Sequence, residues 1–245
     1  MLAKQFVSVT ARRYAGLLVN WHTGASMKVL SLVTQKGGTG KSALAVSLAV
    51  AAERAGERVV ILDLDPQGTS ASWYETRAAE TPAVLDHNQV GVVPETLARL
   101  RAAGFTLAII DTPGIDSHAT RGAMREAGLA LVPVRPSEAD VKATMPTVRA
   151  LEAIGRPYAL VINQAPTNRQ ARLTAAVSLR LSTSGEVVPV PVAIRMDHQY
   201  AYALGQGVHE YAPEGKAAAE IADVWAWCRK RMEATSGIPE EKRGA

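Results

Sequence analysis

Short, unbroken apolar runs alternate along the chain with alanine-rich stretches whose apolar positions recur at helical spacing. The runs over residues 29–34, 58–62, 107–110, 129–134, 158–162 and 187–190 are too short for ordinary helices. They are continuous enough to be buried on both faces, which predicts strands of a parallel sheet. The stretches between them over 42–55, 94–103 and 139–154 predict helices. A repeated strand-then-helix rhythm, with no internal repeat or low-complexity linker, predicts an α/β fold: a doubly wound, mostly parallel sheet with flanking helices. At 245 residues and 47% hydrophobic content the chain can bury one sizeable core, so one folded domain is expected over residues 27–233.

Chemistry concentrates where the predicted strands end. The first run leads into Lys36-Gly37-Gly38-Thr39-Gly40-Lys41-Ser42 and then, from Ala43 onward, into a helix-forming stretch. Lys41 and Ser42 stand where a glycine-rich phosphate loop places its phosphate lysine and its magnesium hydroxyl. The usual first glycine is replaced by Gln35, yet Gly37, Gly38 and Gly40 still let successive backbone N–H groups turn inward around an anion at a helix N-terminus. Residues Lys36, Gly37, Gly38, Thr39, Gly40, Lys41, Ser42 and Ala43 are therefore the expected nucleotide-binding segment. Lys36 is one lysine more than phosphate binding needs. Either it is a solvated loop charge, or it reaches a nucleotide held by a partner subunit and stabilises the oxygens that gain charge during phosphoryl transfer.

Two further strand ends carry acids. The run ending at Leu62 continues as Asp63-Leu64-Asp65-Pro66-Gln67-Gly68, and because strand neighbours alternate, Asp63 and Asp65 share a side. Asp65 is the candidate for orienting the attacking water, and Asp63 for supporting a magnesium shell; the alternative is that both cap the following segment. The run 107–110 ends in Asp111-Thr112-Pro113-Gly114, which gives Asp111 a magnesium-side position beside Ser42 and lets the Gly114 N–H sense a γ-phosphate.

With those three motifs in place, the chain resembles the ParA/MinD family of deviant phosphate-loop ATPases. The resemblance extends through Leu-Val-Pro-Val-Arg-Pro-Ser-Glu-Ala-Asp ending at Asp140, through Val161-Ile162-Asn163, and through the closing stretch after residue 188. It implies a magnesium-dependent ATPase that closes an ATP-sandwich homodimer, with Lys36 crossing to the partner and Lys41 and Asp65 serving turnover. It also implies that Asn163 contacts adenine, although an asparagine ending a strand is equally a turn residue. Thr39 and Ser42 depart from the family's usual valine and threonine. The implied cellular role is ATP-dependent partition or positioning of a plasmid, a chromosome or a large cytoplasmic cargo, with a cargo-bound adaptor stimulating hydrolysis.

The partner surface is less sharply written. A net charge of +4 is mild, but Arg169, Arg172 and Arg180 fall in one predicted helical segment, Arg195 follows, and Arg229, Lys230 and Arg231 form a terminal cluster. Such a patch would hold phosphates without reading bases, which makes nonspecific DNA the expected partner and a nucleoid-associated cytoplasmic location the expected site. The helix expected over 217–232 aligns Ile221, Trp225, Cys228 and Met232 on one face. That face suits either a membrane surface, as in a MinD-like spatial regulator, or the core, and the core is the expected use. An ATP-switched protein scaffold is a further alternative, and an ATP-dependent amidase or metallocluster-loading relative a more distant one, for which the sequence has neither an amidotransferase cysteine centre nor a paired-cysteine cluster site. The single cysteine excludes an intrachain disulfide and a cysteine-cluster metal site. Residues 1–26 carry Lys4, Arg12 and Arg13 without an acid. They read as a basic arm, a targeting segment, or an extension ahead of an original start at Met27, and 234–245 reads as a flexible tail.

Overall fold

The computed structural model describes residues 27–167 and 171–236, and the expectations for the two ends and for Arg169 lie outside these residues. Six strands form one sheet: β1 (Lys28–Leu32), β2 (Val59–Asp63), β3 (Ala83–Leu85), β4 (Leu107–Asp111), β5 (Leu129–Val134) and β6 (Tyr158–Ile162). They lie in the order β3-β2-β4-β1-β5-β6, and every pair is parallel. The helices are α1 (Lys41–Arg54), α2 (Thr69–Thr76), α3 (His87–Val90), α4 (Val93–Ala102), α5 (His118–Glu126), α6 (Glu138–Ala153), α7 (Ala171–Leu181), α8 (Met196–Ala203), α9 (Val208–Tyr211) and α10 (Lys216–Ser236).

Alternation along the strands divides the core into two layers. On β1, Leu30 and Leu32 join Ile61, Ile109 and Leu131 against α1, Trp73 of α2 and α10, whereas Val29, with Val33 just beyond the strand, joins Leu62 and Ile110 against α4, α5, α6 and α7. Both faces of the sheet are covered, which is why the strands read as continuous apolar runs. Ile221, Trp225, Cys228 and Met232 of α10 are all buried in the first layer, so this face is spent on the core. Among the described residues no helix is long and apolar enough to cross a membrane.

Six strands were expected, but one of the six differs. Residues 187–190 form only a bridge from Val187 to Leu160, with single backbone bonds continuing to Val192. Pro189 and Pro191 carry no N–H, so the ladder is interrupted just where a strand would need its donors. The sixth place is taken at the opposite edge by β3, whose three residues are too few to show a periodicity.

The strand order also fixes the crevice. From β1 the chain moves to β2 on one side, and after β4 it crosses to β5 on the other, so connections diverge around the end of β1. In a parallel sheet that divergence opens a cleft at the carboxyl ends of the strands, and the loop after β1 lies in it.

Candidate active site

Residues 33–40 connect β1 to α1 through two left-handed glycines, Gly38 at φ 74° and Gly40 at φ 83°. A side chain is excluded at Gly40 for a second reason: a Cβ there would meet the Asn163 amide nitrogen at 2.6 Å. Gly40 is the N-cap of α1 and supplies no side-chain acceptor, so the first-turn N–H groups keep their capacity for an anion. They border a cavity of about 800 Å³ lined by Gly37, Gly38, Gly40, Lys41, Ser42 and Ala43 from the loop. Asp65, Pro113, Gly114, His198 and Tyr202 face the same cavity. Lys36 is not part of this lining.

Beneath the cavity the acids are buried. Asp63 and Asp111 end neighbouring strands in register, and both are fully buried. Asp63 accepts the N–H groups of Asp65 at 3.1 Å and Ala71 at 2.9 Å. It therefore ties the β2–α2 turn together and stands behind the cavity wall. Burial raises its pKa, and the neighbouring charge of Asp65 adds to this against the pull of the backbone donors. Asp111 accepts the Ser70 hydroxyl at 2.8 Å through Oδ2, while its buried Oδ1 has no partner. Burial pushes its pKa up to about 7; the Ser42 and Ser70 hydroxyls and Lys41 oppose that rise, and Asp63 reinforces it. Lys41 is itself buried, and desolvation lowers its pKa against the attraction of Asp111 and Asp65.

An orphaned carboxylate oxygen beside a hydroxyl and under a phosphate cradle fits a divalent cation with its water shell. Ser42 and Asp111 would hold magnesium there, with Asp63 behind them. Asp65 lies higher, half-buried on the cavity wall, with its Oδ1 accepting the Gln67 N–H at 3.0 Å. Gly114 packs on the phosphate loop so closely that a Cβ would lie 2.8 Å from the Gly37 Cα.

The β5–β6 side is organised differently. Asn163 donates to the Thr39 carbonyl at 2.7 Å and Gln164 to the Gly38 carbonyl at 3.1 Å, so this strand end clamps the loop from outside. Asn163 also lines a second cavity, of about 350 Å³, with Leu44, Val192 and Arg195. Lys36 extends away from the first cavity to Asp140 in the first turn of α6, with Nζ 2.6 Å from Oδ1.

Four contributors were not singled out by sequence reasoning: Ser70, Asp140, Gln164 and Tyr202. Ser70 lies two residues after the Asp63–Gly68 motif and Asp140 closes the stretch that ends in it, so their positions offered a signal. Gln164, at φ 57°, adjoins Asn163. Tyr202, whose hydroxyl donates to the Thr69 carbonyl, comes from the distant α8 and had no local signal. Among the proposed basic residues, Arg180 pairs with Glu138, Arg231 with Glu186 at 2.9 Å, and Arg229 approaches Glu233 at 3.9 Å. Lys230 is exposed. Arg195 instead lines the smaller cavity and is held by Glu220. Arg172 lies in α7.

The model of the CobQ/CobB/MinD/ParA nucleotide-binding domain matches residues 30–207, which include every strand end described above. The chain belongs to this family. Within it, the chain carries the loop with the deviant lysine that marks the ParA/MinD-type phosphate-loop ATPases. It is 35% identical over 140 residues to the maintenance of carboxysome distribution protein A of Gloeobacter kilaueensis, covering 56% of this chain and 63% of that relative, less than two thirds of its length. The protein of that name from Halothiobacillus neapolitanus is 27% identical over 203 residues, 78% of this chain and 91% of the relative. The fold is shared with the septum site-determining protein MinD of Pyrococcus horikoshii in complex with Mg-ADP, at TM-score 0.68 and 18% identity, covering 87% of this chain and all of that one.

Proposed function

We propose that residues 27–233 form an ATP-dependent positioning ATPase that closes as a homodimer around two nucleotides, holds nonspecific DNA in that state, and is released by adaptor-stimulated hydrolysis. One observation carries the reading: of the two loop lysines, Lys41 lines its own nucleotide cavity and Lys36 does not. A second loop cation held outside its own cavity is available to another subunit's phosphates.

Within one subunit, the loop N–H groups and Lys41 bind the β- and γ-phosphates, and Asn163 borders the cavity proposed for adenine. Magnesium bound with ATP supplies charge neutralisation at the phosphate oxygens. Asp65 holds the attacking water in line, and the Gly114 N–H registers the γ-phosphate, so that its loss loosens the contact with Gly37. The partner's Lys36 stabilises the charge that develops in transfer. Exposed apolar side chains on and beside α8, among them Ile194, Met196 and Tyr200, stand close to this mouth and suit a subunit interface. Two relatives are named for carboxysome distribution, which supports a large assembly as cargo.

The DNA-holding surface is proposed for Arg169, Arg172, Arg180, Arg229, Lys230 and Arg231; the ion pairs that can be described there are exposed and exchange readily for phosphate. The test compares wild type with Arg229→Glu and Lys230→Glu on unrelated duplexes and on anionic vesicles, with ATP and a hydrolysis-deficient background. Expected are similar affinities for all duplexes, dependence on ATP, and weakening by each reversal and by salt. Vesicle binding without DNA binding would overturn the reading, and binding to neither would leave an ATP-switched scaffold.

A further inference from the structure

Lys36 is held in this structure by a constructed contact. Its acceptor, Asp140, has a side chain only 6% exposed and is fixed at both ends: its N–H donates to the Ser137 hydroxyl oxygen at 3.1 Å, and that hydroxyl donates back to Oδ2. The base of the loop is anchored to the same helix, since the Gln35 N–H donates to the Thr147 hydroxyl at 3.1 Å. The Lys36 N–H is tied to Thr34 at 3.2 Å. Backbone and carboxylate are thus both fixed, and the lysine side chain, 28% exposed, is the part that can swing.

We infer that Asp140 is a positioning residue for Lys36, holding its amine on α6 while the subunit is alone and releasing it to the partner's phosphates when ATP closes the dimer. This rests on the proposed transfer of Lys36 between subunits. Arg135 is what makes release inexpensive. Its Nε lies 3.0 Å from the same Oδ1, so the carboxylate keeps a cation and a hydroxyl donor when Lys36 departs. A buried carboxylate left without a cation would oppose the exchange strongly. Asp140 is well suited to share: burial would raise its pKa, but Lys36, Ser137 and Arg135 together hold it below the ordinary carboxylate range. A single carboxylate divided between two cations competes weakly with a triphosphate, so the amine transfers only when a second subunit presents one.

The experiment measures the ATP concentration for half-maximal dimerisation by light scattering with magnesium. Labelling of Lys36 by an amine-reactive reagent in nucleotide-free protein is followed in parallel by mass spectrometry. Asp140→Asn should lower the ATP requirement about three-fold or more, the scale of a partly screened ion pair, and raise Lys36 labelling. Arg135→Ala should do the opposite on both readouts, because the carboxylate then belongs to Lys36 alone. A merely structural defect would raise the ATP requirement in both variants. In a Lys36→Ala background, Asp140→Asn should have no further effect. An unchanged or raised ATP requirement in Asp140→Asn, with Lys36→Ala still defective in dimerisation, would overturn the positioning role alone. Normal dimerisation of Lys36→Ala would overturn the exchange of lysines between subunits and the positioning role with it.

Discussion

The two flanks of the phosphate loop handle charge in opposite ways. On the β2–β4 flank, Asp63 and Asp111 are buried with too little positive charge around them, and their pKa values rise, that of Asp111 to about 7. On the β5–β6 flank, Asp140 is buried less deeply than Asp111 and already has two cations and a hydroxyl, and its pKa falls. The first flank is deficient in positive charge and suited to receive a cation. The second is satisfied in the isolated subunit and suited to exchange one cation for another. Desolvation opposes the charged form on both sides, and the shallower burial of Asp140 together with its nearby donors lets its ionised form win.

The strongest way to break this contrast is to remove the cation that belongs to the cavity. Lys41→Ala should lose at least about a hundred-fold in ATP affinity in a direct titration, because the buried acids beneath the cradle then face the phosphates unopposed. Near-normal affinity would mean that the loop N–H groups alone carry binding and that the β2–β4 flank does not depend on this cation.

Next in size is Asp65→Ala, which should retain ATP binding and dimer closure while phosphate release falls by roughly two or more orders of magnitude. An unchanged steady-state rate would assign water orientation elsewhere, with Asp65 reduced to holding the turn at Gln67.

Asp111→Asn sharpens the comparison through pH. A carboxyl whose folded pKa is raised binds more protons folded than unfolded, so its destabilising effect grows as pH rises from the ordinary carboxyl range through about 7. Nucleotide-free Asp111→Asn should therefore be more stable than wild type at pH 8, by about 3 °C or more in Tm, and the difference should shrink towards pH 5. The same variant should lose magnesium-dependent turnover. For wild type, magnesium-supported ATP binding should weaken as pH falls below about 7, since the protonated acid no longer attracts the cation. A Tm difference that grows on acidification would contradict the charge assignment of this flank.

The smallest expected effect tests the contact between the flanks. Gly114→Ala places a Cβ 2.8 Å from the Gly37 Cα, and backbone on both sides must move. Overpacking of this kind costs about 1–3 kcal/mol, and it should reduce the preference for ATP over ADP by about ten-fold with little change in ADP affinity. Equal losses for both nucleotides would show general loop damage and no γ-phosphate sensing.

The sequence by itself determined the elements that local pattern controls. Five of the six strands were legible as apolar runs because a sheet covered on both faces leaves no polar alternation, and the loop, Asp63 and Asp111 were legible because parallel strands deliver their ends to one edge. The α10 face was also legible, as a spacing of Ile221, Trp225, Cys228 and Met232, though its use in the core was an expectation until its packing was seen. Only tertiary structure decided the strand at 83–85, since three residues have no period and their place depends on pairing with β2. Only tertiary structure could bring Tyr202 to Thr69, Asn163 to the Thr39 carbonyl and Asp140 to Lys36, because each contact joins elements far apart in the chain. Residue type announces which groups can carry charge, but the local dielectric and the donors that surround each group are set by packing. That is why Asp111 and Asp140, chemically identical in sequence, come to rest on opposite sides of the ordinary carboxylate range.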